Sequence, residues 1–186
     1  MNFDSIIKSR KSVREFGSKK PDWRDILECI DLARYAPTAG KNFDMKFILV
    51  DDKEKIQKIA LAAEQDFIAN AHFVVVAYSG HKRLVNLFGE RGKVYSWQQS
   101  GAAIQNFLLA ITGRGLSACW VGHFDEAQVK DFLRIPEDME VEAVIPVGYE
   151  FKFSKAKPKE KIELDNILYF NEHKKKKMRA PYSPET

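Results

Sequence analysis

A single domain of mixed helices and strands is the fold this sequence predicts, and three observations carry that prediction. At 186 residues the chain is long enough for one well-packed core and short for two. Its composition, 45% hydrophobic and 30% charged, is that of an ordinary globular protein rather than a disordered or fibrous one. Its apolar residues alternate along the chain between a helical period and short runs rich in β-branched residues, with no internal repeat.

From Pro21 to Tyr35 the residues Trp23, Ile26, Leu27 and Ile30 fall at i, i+3, i+4 and i+7, one face of a helix, and Pro37 stands just past its end. Phe47-Ile48-Leu49-Val50, closed by Asp51-Asp52, reads as a buried strand. Ile56, Ile59, Ala60 and Ala63 mark a second helix, and His72 to Tyr78 a second strand. The polar segment from Ser79 to Lys93, with Gly80, Gly89 and Gly92, reads as a flexible connection of the kind that forms active-site lids. Ser96 to Thr112 is a charge-free helix whose apolar face comprises Ala103, Ile104, Phe107, Leu108 and Ile111. It is expected to be buried all round, most easily with a second subunit covering part of it. Its Ser96, Gln98, Gln99, Ser100, Gln105 and Asn106 argue against a membrane span. Leu116 to Val121 is expected as a strand, Asp125 with Gln128 as a capping box opening a helix through Leu133, and Val141 to Tyr149 as the last strand. The domain is expected to occupy residues 1–170, with a basic, flexible tail over 171–186.

The net charge of +4 resides in the last thirteen residues, where Lys174 to Lys177 and Arg179 face only Glu185. The body of the chain is neutral, so a nucleic-acid partner is not expected. The N-terminus lacks the pattern of a signal peptide, and Cys29 and Cys119 stand far apart without metal-ligand spacing. A reducing cytoplasm, no metal and no membrane are the expectations. There is no GxxxxGK[ST] loop, no HExxH and no GxSxG. Gly113 to Ala118 matches GxGxxA, but it leaves a predicted helix and enters a predicted strand, the reverse of the dinucleotide-binding context.

Arg10-Lys11-Ser12-Val13-Arg14 is the chemically richest segment. In an extended backbone residues 10, 12 and 14 point to one side, which brings two guanidinium forks and a hydroxyl together. That grouping suits a phosphate monoester. Of the four histidines, His123 follows Val121-Gly122 at the end of a predicted strand, where loops build sites, whereas His72 and His81 read as structural. With no nucleophile, base or metal constellation, the protein either binds a partner or lets a cofactor do the chemistry.

Five blocks in order resemble the nitroreductase superfamily of FMN-dependent oxidoreductases, from about residue 4 to residue 170. They are residues 10–16, Ala36-Pro37-Thr38-Ala39-Gly40, Gly101 to Ala110, Gly115 to Gly122, and Pro146-Val147-Gly148-Tyr149. The resemblance implies an α+β fold, nitroreductase-like, with a central, mainly antiparallel sheet flanked by helices. It also implies a homodimer with two FMN sites at the subunit interface. Carried over by position, Arg10, Lys11 and Ser12 serve the phosphate, and Arg14 the ribityl chain and the pyrimidine edge. Pro37, Thr38, Ala39 and Lys41 approach from the other subunit, and Val121, Gly122 and His123 lie along the ring. Lys157, or else Lys155 or Lys159, closes the phosphate pocket. Chemistry then takes place at flavin N5 with no catalytic side chain, NADH or NADPH as reductant, and ping-pong transfer to a small planar nitroaromatic- or quinone-like acceptor. A specialised flavoprotein, such as a dehalogenase, flavin-cleaving enzyme or single-metabolite reductase, is the alternative within the fold. A non-catalytic binding protein using the lysine tail is the alternative outside it. Departures from the family pattern fall at Lys41, Phe43, Asp44-Met45 and Gln99. Lys41 stands either at the flavin or in solvent, and Asn42 takes the usual asparagine's place only if the loop shifts.

Overall fold

The computed structural model describes residues 2–154 and 162–178. The chain divides into two compact units, Met1–Ala156 and Lys157–Thr186, so the expected boundary near 170 lies inside the second unit.

The first unit is built on a four-stranded antiparallel sheet in the order β1-β2-β4-β3, with β1 Met45–Val50, β2 Phe73–Gly80, β3 Ser117–Ala118 and β4 Met139–Gly148. Its helices are α1 Phe3–Ser9, α2 Trp23–Ala33, α3 Lys53–Ala62, α4 Lys82–Phe88, α5 Arg91–Gly113 and α6 Glu126–Leu133. The sheet is buried on both faces. Phe73, Val75 and Ala77 of β2 join Ile26, Cys29 and Ala33 of α2 and Ala103, Ile104 and Phe107 of α5 in one core. Val74 and Val76 point the other way, to Ile56 and Ile59 of α3 and Val129 of α6. A two-sided strand needs apolar residues at every position, which explains why β2 reads as an unbroken apolar run.

The predicted cap at Asp125 holds, and Asp52, read from the sequence only as the close of a strand, caps α3 in the same way. Asp52 accepts hydrogen bonds from the Glu54 and Lys55 backbone N–H groups at 2.9 and 3.1 Å, and Asp125 from that of Gln128 at 3.1 Å. The segment 113–118 indeed leaves a helix and enters a strand, so its glycines are no dinucleotide loop.

Three expectations need correction. The segment 79–93 is not a flexible connection; it forms the end of β2, α4 and the start of α5. Its glycines are packing devices: a Cβ on Gly92 would lie 2.2 Å from the Leu84 carbonyl oxygen, and Gly89 turns the chain at φ +59°. The strand expected over 116–121 pairs only at Ser117 and Ala118, with a single bridge from Val121 to Val144. Pro146 accepts at its carbonyl from the Cys119 N–H at 3.4 Å but has no N–H to return, so the ladder stops there. Finally, α5 is not covered all round within one chain. Gln98 and Gln105 are exposed, and Asn106, Leu109, Ala110 and Gly113 line an apolar groove of about 480 Å³ with Phe3 and Ile6.

No described helix is long and apolar enough to cross a membrane. In the second unit, residues Leu164–Asn166 form a 3-10 turn, the Phe170 N–H donates to the Lys175 carbonyl at 2.8 Å, and the Lys176 ammonium lies 4.2 Å from the Tyr169 ring.

Candidate functional site

Residues 10–16 run extended along the outer edge of the sheet. Ser12 bridges Ala118 in parallel, the Val13 N–H donates to the Ala118 carbonyl at 3.1 Å, and Phe16 bridges Glu150. Alternation then sorts the side chains. Val13 is buried at 1% exposure, and Lys11 pairs with Glu150 at 2.8 Å, bolting the segment to the strand end. Lys11 therefore spends its charge on the scaffold. Ser12 and Arg14 are exposed and Arg10 is half-buried. Neither Arg10 nor Arg14 has a carboxylate partner among the described residues. The Arg14 guanidinium carbon lies 5.8 Å from the centre of the Phe67 ring. A cleft of about 580 Å³ beside it is lined by Phe16, Asn70, His72 and Phe151.

Cys119 lies beneath this group. Burial pushes its thiol above the ordinary range, while Arg14, the Ser12 hydroxyl and Arg10 pull the other way, so all three side chains act electrostatically on it. From Cys119 the chain leaves the sheet edge through buried Val121 into exposed Gly122 and His123. A Cβ on Gly122 would meet nothing within 4 Å, which leaves the backbone of this turn open to a flat ligand. The donor set of two free guanidiniums and one hydroxyl, beside an open glycine, fits a phosphate monoester carrying a planar ring.

The second candidate segment lies elsewhere. Residues 39–41 form a short 3-10 turn in which Gly40 and Lys41 both have positive φ, 56° and 58°. Lys41 and Pro37 are exposed, and Thr38 and Ala39 half-buried. Asn42 is 6% exposed and donates to the Gly40 carbonyl at 2.9 Å. Gln99 of α5 fastens the same loop, its amide nitrogen donating to the Asn42 carbonyl at 2.7 Å and its oxygen accepting from the Asp44 N–H at 3.1 Å. The departure at Gln99 thus clamps the loop through the backbone of residues 42 and 44, and the Asn42 side chain is committed to the scaffold.

The two segments do not meet within one chain. The 37–44 loop is tied to Gln99 near the start of α5 and leads into β1 at one edge of the sheet; residues 10–14 are tied to Ala118, past the end of α5, at the opposite edge. The helix from Gln99 to Gly113 alone spans on the order of 20 Å. Lys157, Lys155 and Lys159 lie outside the described residues.

Sequence reasoning missed a polar cluster where α4 leaves the sheet. His81 Nε2 lies 2.7 Å from Glu140 Oε2, Lys93 Nζ 3.2 Å from Glu140 Oε1, and Trp97 donates to Glu140 at 3.0 Å. Burial opposes ionisation of Glu140, but the donors Trp97, His81 and Lys93 outweigh it and hold the carboxyl down at about 2. Glu142 accepts from the hydroxyls of Ser79 and Ser100; burial raises its carboxyl against their pull. Ligand atoms of His81, Glu140 and Glu142 lie within 4.8 Å of one another. Both carboxylates already have their donors, so the cluster serves as a fastening. Its members are scattered over three elements, and no local pattern announces it.

The chain matches the model of the Nitroreductase family over residues 7–69 and 60–149. It is similar to iodotyrosine deiodinase of Thermotoga neapolitana, 26% identical over 160 residues that cover 77% of this chain and 86% of that protein. It is also similar to 4-nitrobenzoate reductase of Pseudomonas putida, 23% identical over 193 residues that cover 80% and 85%. Among solved structures, a nitroreductase family protein from Clostridium novyi NT superposes with a TM-score of 0.74 at 27% identity, covering 94% of this chain and 96% of that one. With both segments of the site, the sheet order and the family match in agreement, the chain belongs to the nitroreductase family of oxidoreductases.

Proposed function

We propose that this protein is a homodimeric FMN-dependent oxidoreductase that takes reducing equivalents from NADH or NADPH and passes them, by a ping-pong mechanism, to a small planar acceptor of the nitroaromatic or quinone type. The observation that carries this reading is that Arg10, Ser12 and Arg14 belong to one segment at the sheet edge, with neither guanidinium paired to a carboxylate among the described residues. FMN, when bound, supplies the redox chemistry. Arg10 and Ser12 hold its phosphate, Arg14 favours the negative charge of the reduced ring at its pyrimidine edge, and the open turn at Gly122 and His123 lies along the ring.

Dimerisation follows from the separation of the two segments. Residues 37–41 of one copy complete the site only against residues 10–14 of another, and the uncovered apolar face of α5 is the surface through which copies join. A second reading, reductive dehalogenation, is favoured by the likeness to iodotyrosine deiodinase; iodide release from an iodinated phenol separates it from nitro reduction.

The first test is an absorption spectrum of the purified protein, with heat release and mass identification of the flavin. Arg10→Ala and Arg14→Ala are expected to fold as dimers yet hold FMN roughly 10- to 100-fold more weakly, the cost of charge-assisted hydrogen bonds worth about 1.5–3 kcal/mol. Unchanged flavin occupancy in both variants would overturn the assignment.

A further inference from the structure

We propose that Lys41, next to the Gly40 that Phe88 packs against, and Arg91, over the Tyr95 ring that Phe88 meets, make this protein select aromatic acceptors that carry a negative charge. The inference rests on the flavin reading above and adds the class of acceptor. Helix α4 ends in two side chains that a free-standing surface has no use for: Leu87 is 57% exposed and Phe88 40%. Phe88 meets Tyr95 edge-on, with ring centroids 5.4 Å apart, and its Cζ lies 3.2 Å from where a Cβ on Gly40 would stand. The aromatic pair is thereby seated against the loop whose residues 38–41 approach the ring of the cofactor.

Two cations belong to the segments that meet this apolar tip. The Arg91 guanidinium carbon lies 5.7 Å from the centre of the Tyr95 ring, and exposed Lys41 follows Gly40 directly. The same helix pair carries Lys82, Arg83 and Lys93 against Glu90 alone. Only Lys93 is neutralised, by Glu140 at 3.2 Å. Lys41, Lys82, Arg83 and Arg91 have no carboxylate partner among the described residues. A flat ring thus finds an apolar wall in Leu87 and Phe88, and an anionic substituent on that ring finds Arg91 over the neighbouring Tyr95 and Lys41 on the neighbouring loop. A neutral ring gains only the stacking, and a cationic one is repelled.

The test compares 4-nitrobenzoate with 4-nitrobenzamide on the FMN-loaded protein. The two share size, shape and reducible group and differ in charge. Each turnover consumes one NADH and one proton, converting the nitro group to nitroso with release of water. The expected kcat/KM favours the carboxylate roughly tenfold, as two partly exposed ion contacts supply, and the preference shrinks as salt is added. In the double variant Lys41→Gln, Arg91→Gln the ratio falls toward one; as a ratio it is insensitive to any loss of flavin. A second readout needs no turnover: dissociation constants of benzoate and benzamide, from the perturbation of flavin absorption, follow the same order. Equal values for both ligands in the wild type, or a preference that survives in the double variant, would overturn the proposal. A chain that takes up no FMN overturns the flavin reading and this inference with it, whereas a loaded, active protein indifferent to charge overturns this inference alone.

Discussion

Replacing Gly92 with alanine tests how α4 is held beside the site. A β-carbon at 92 would lie 2.2 Å from the Leu84 carbonyl oxygen, 2.3 Å from its carbonyl carbon and 2.5 Å from the Val85 nitrogen. All three are backbone atoms of α4, so no change of rotamer relieves the overlap and the two helices must part by about 1 Å. Leu84 is wholly buried, and that movement opens space beneath it. Overpacking of this kind costs about 1–3 kcal/mol, and partial loss of the Leu84 packing places the sum near the upper end, about 3 kcal/mol. In a chain of this length that corresponds to a fall in Tm of about 6–12 °C, read by thermal and urea denaturation followed by circular dichroism. Gly89→Ala is the internal comparison. Nothing lies within 4 Å of its Cβ, so only its backbone at φ +59° resists, at about 1–2 kcal/mol. A Gly92→Ala protein within about 2 °C of wild type, or one more stable than Gly89→Ala, would refute the close approach of α4 and α5.

Three further outcomes are expected. Glu140→Gln removes the carboxylate that His81, Lys93 and Trp97 share. Because the fold holds Glu140 down at about 2 against an ordinary 4.5, its contribution is complete above pH 4.5 and lost as pH falls from there toward 2. After allowance for its partial exposure this is about 1–2 kcal/mol, seen as a wild-type-to-variant gap in urea titrations that closes over that window; a gap constant across it contradicts the account. Gln99→Leu leaves the Asn42 carbonyl and the Asp44 N–H without their clamp and lowers stability by about 2 kcal/mol, measured by thermal denaturation. Leu109→Glu, in the groove on the open face of α5, converts a dimer to a monomer in sedimentation velocity and releases the flavin; a variant that stays dimeric and yellow removes α5 from the interface.

What the sequence made legible was whatever depends on local spacing. The Asp125 cap and the extended run of residues 10–14 are written in neighbours two or three positions apart and appear in the structure, whereas α2 forms where expected but buries Ile26, Cys29 and Ala33, leaving Trp23 and Leu27 of the expected face exposed. Glycine was the misleading letter. In 79–93 three glycines suggested mobility, yet Gly92 exists because two helices touch, a fact set by packing that no local window contains. The short β3 was hidden for a similar reason, since the residue that ends its ladder is Pro146 on another strand. Gln99 read as a departure when taken alone, and only the fold shows that it clamps the backbone of residues 42 and 44.

The placement of residues 10–14 and 37–41 beyond opposite ends of α5 bears on inheritance. In the proposed dimer each site borrows its two parts from different chains. Two defective copies, one altered at Arg10 and the other in the 37–41 loop, then distribute their faults unevenly when they pair. One site of the mixed dimer receives both lesions and the other receives none. Cells carrying the two alleles together therefore recover activity that neither provides alone, a complementation impossible for an enzyme whose site is built within one chain.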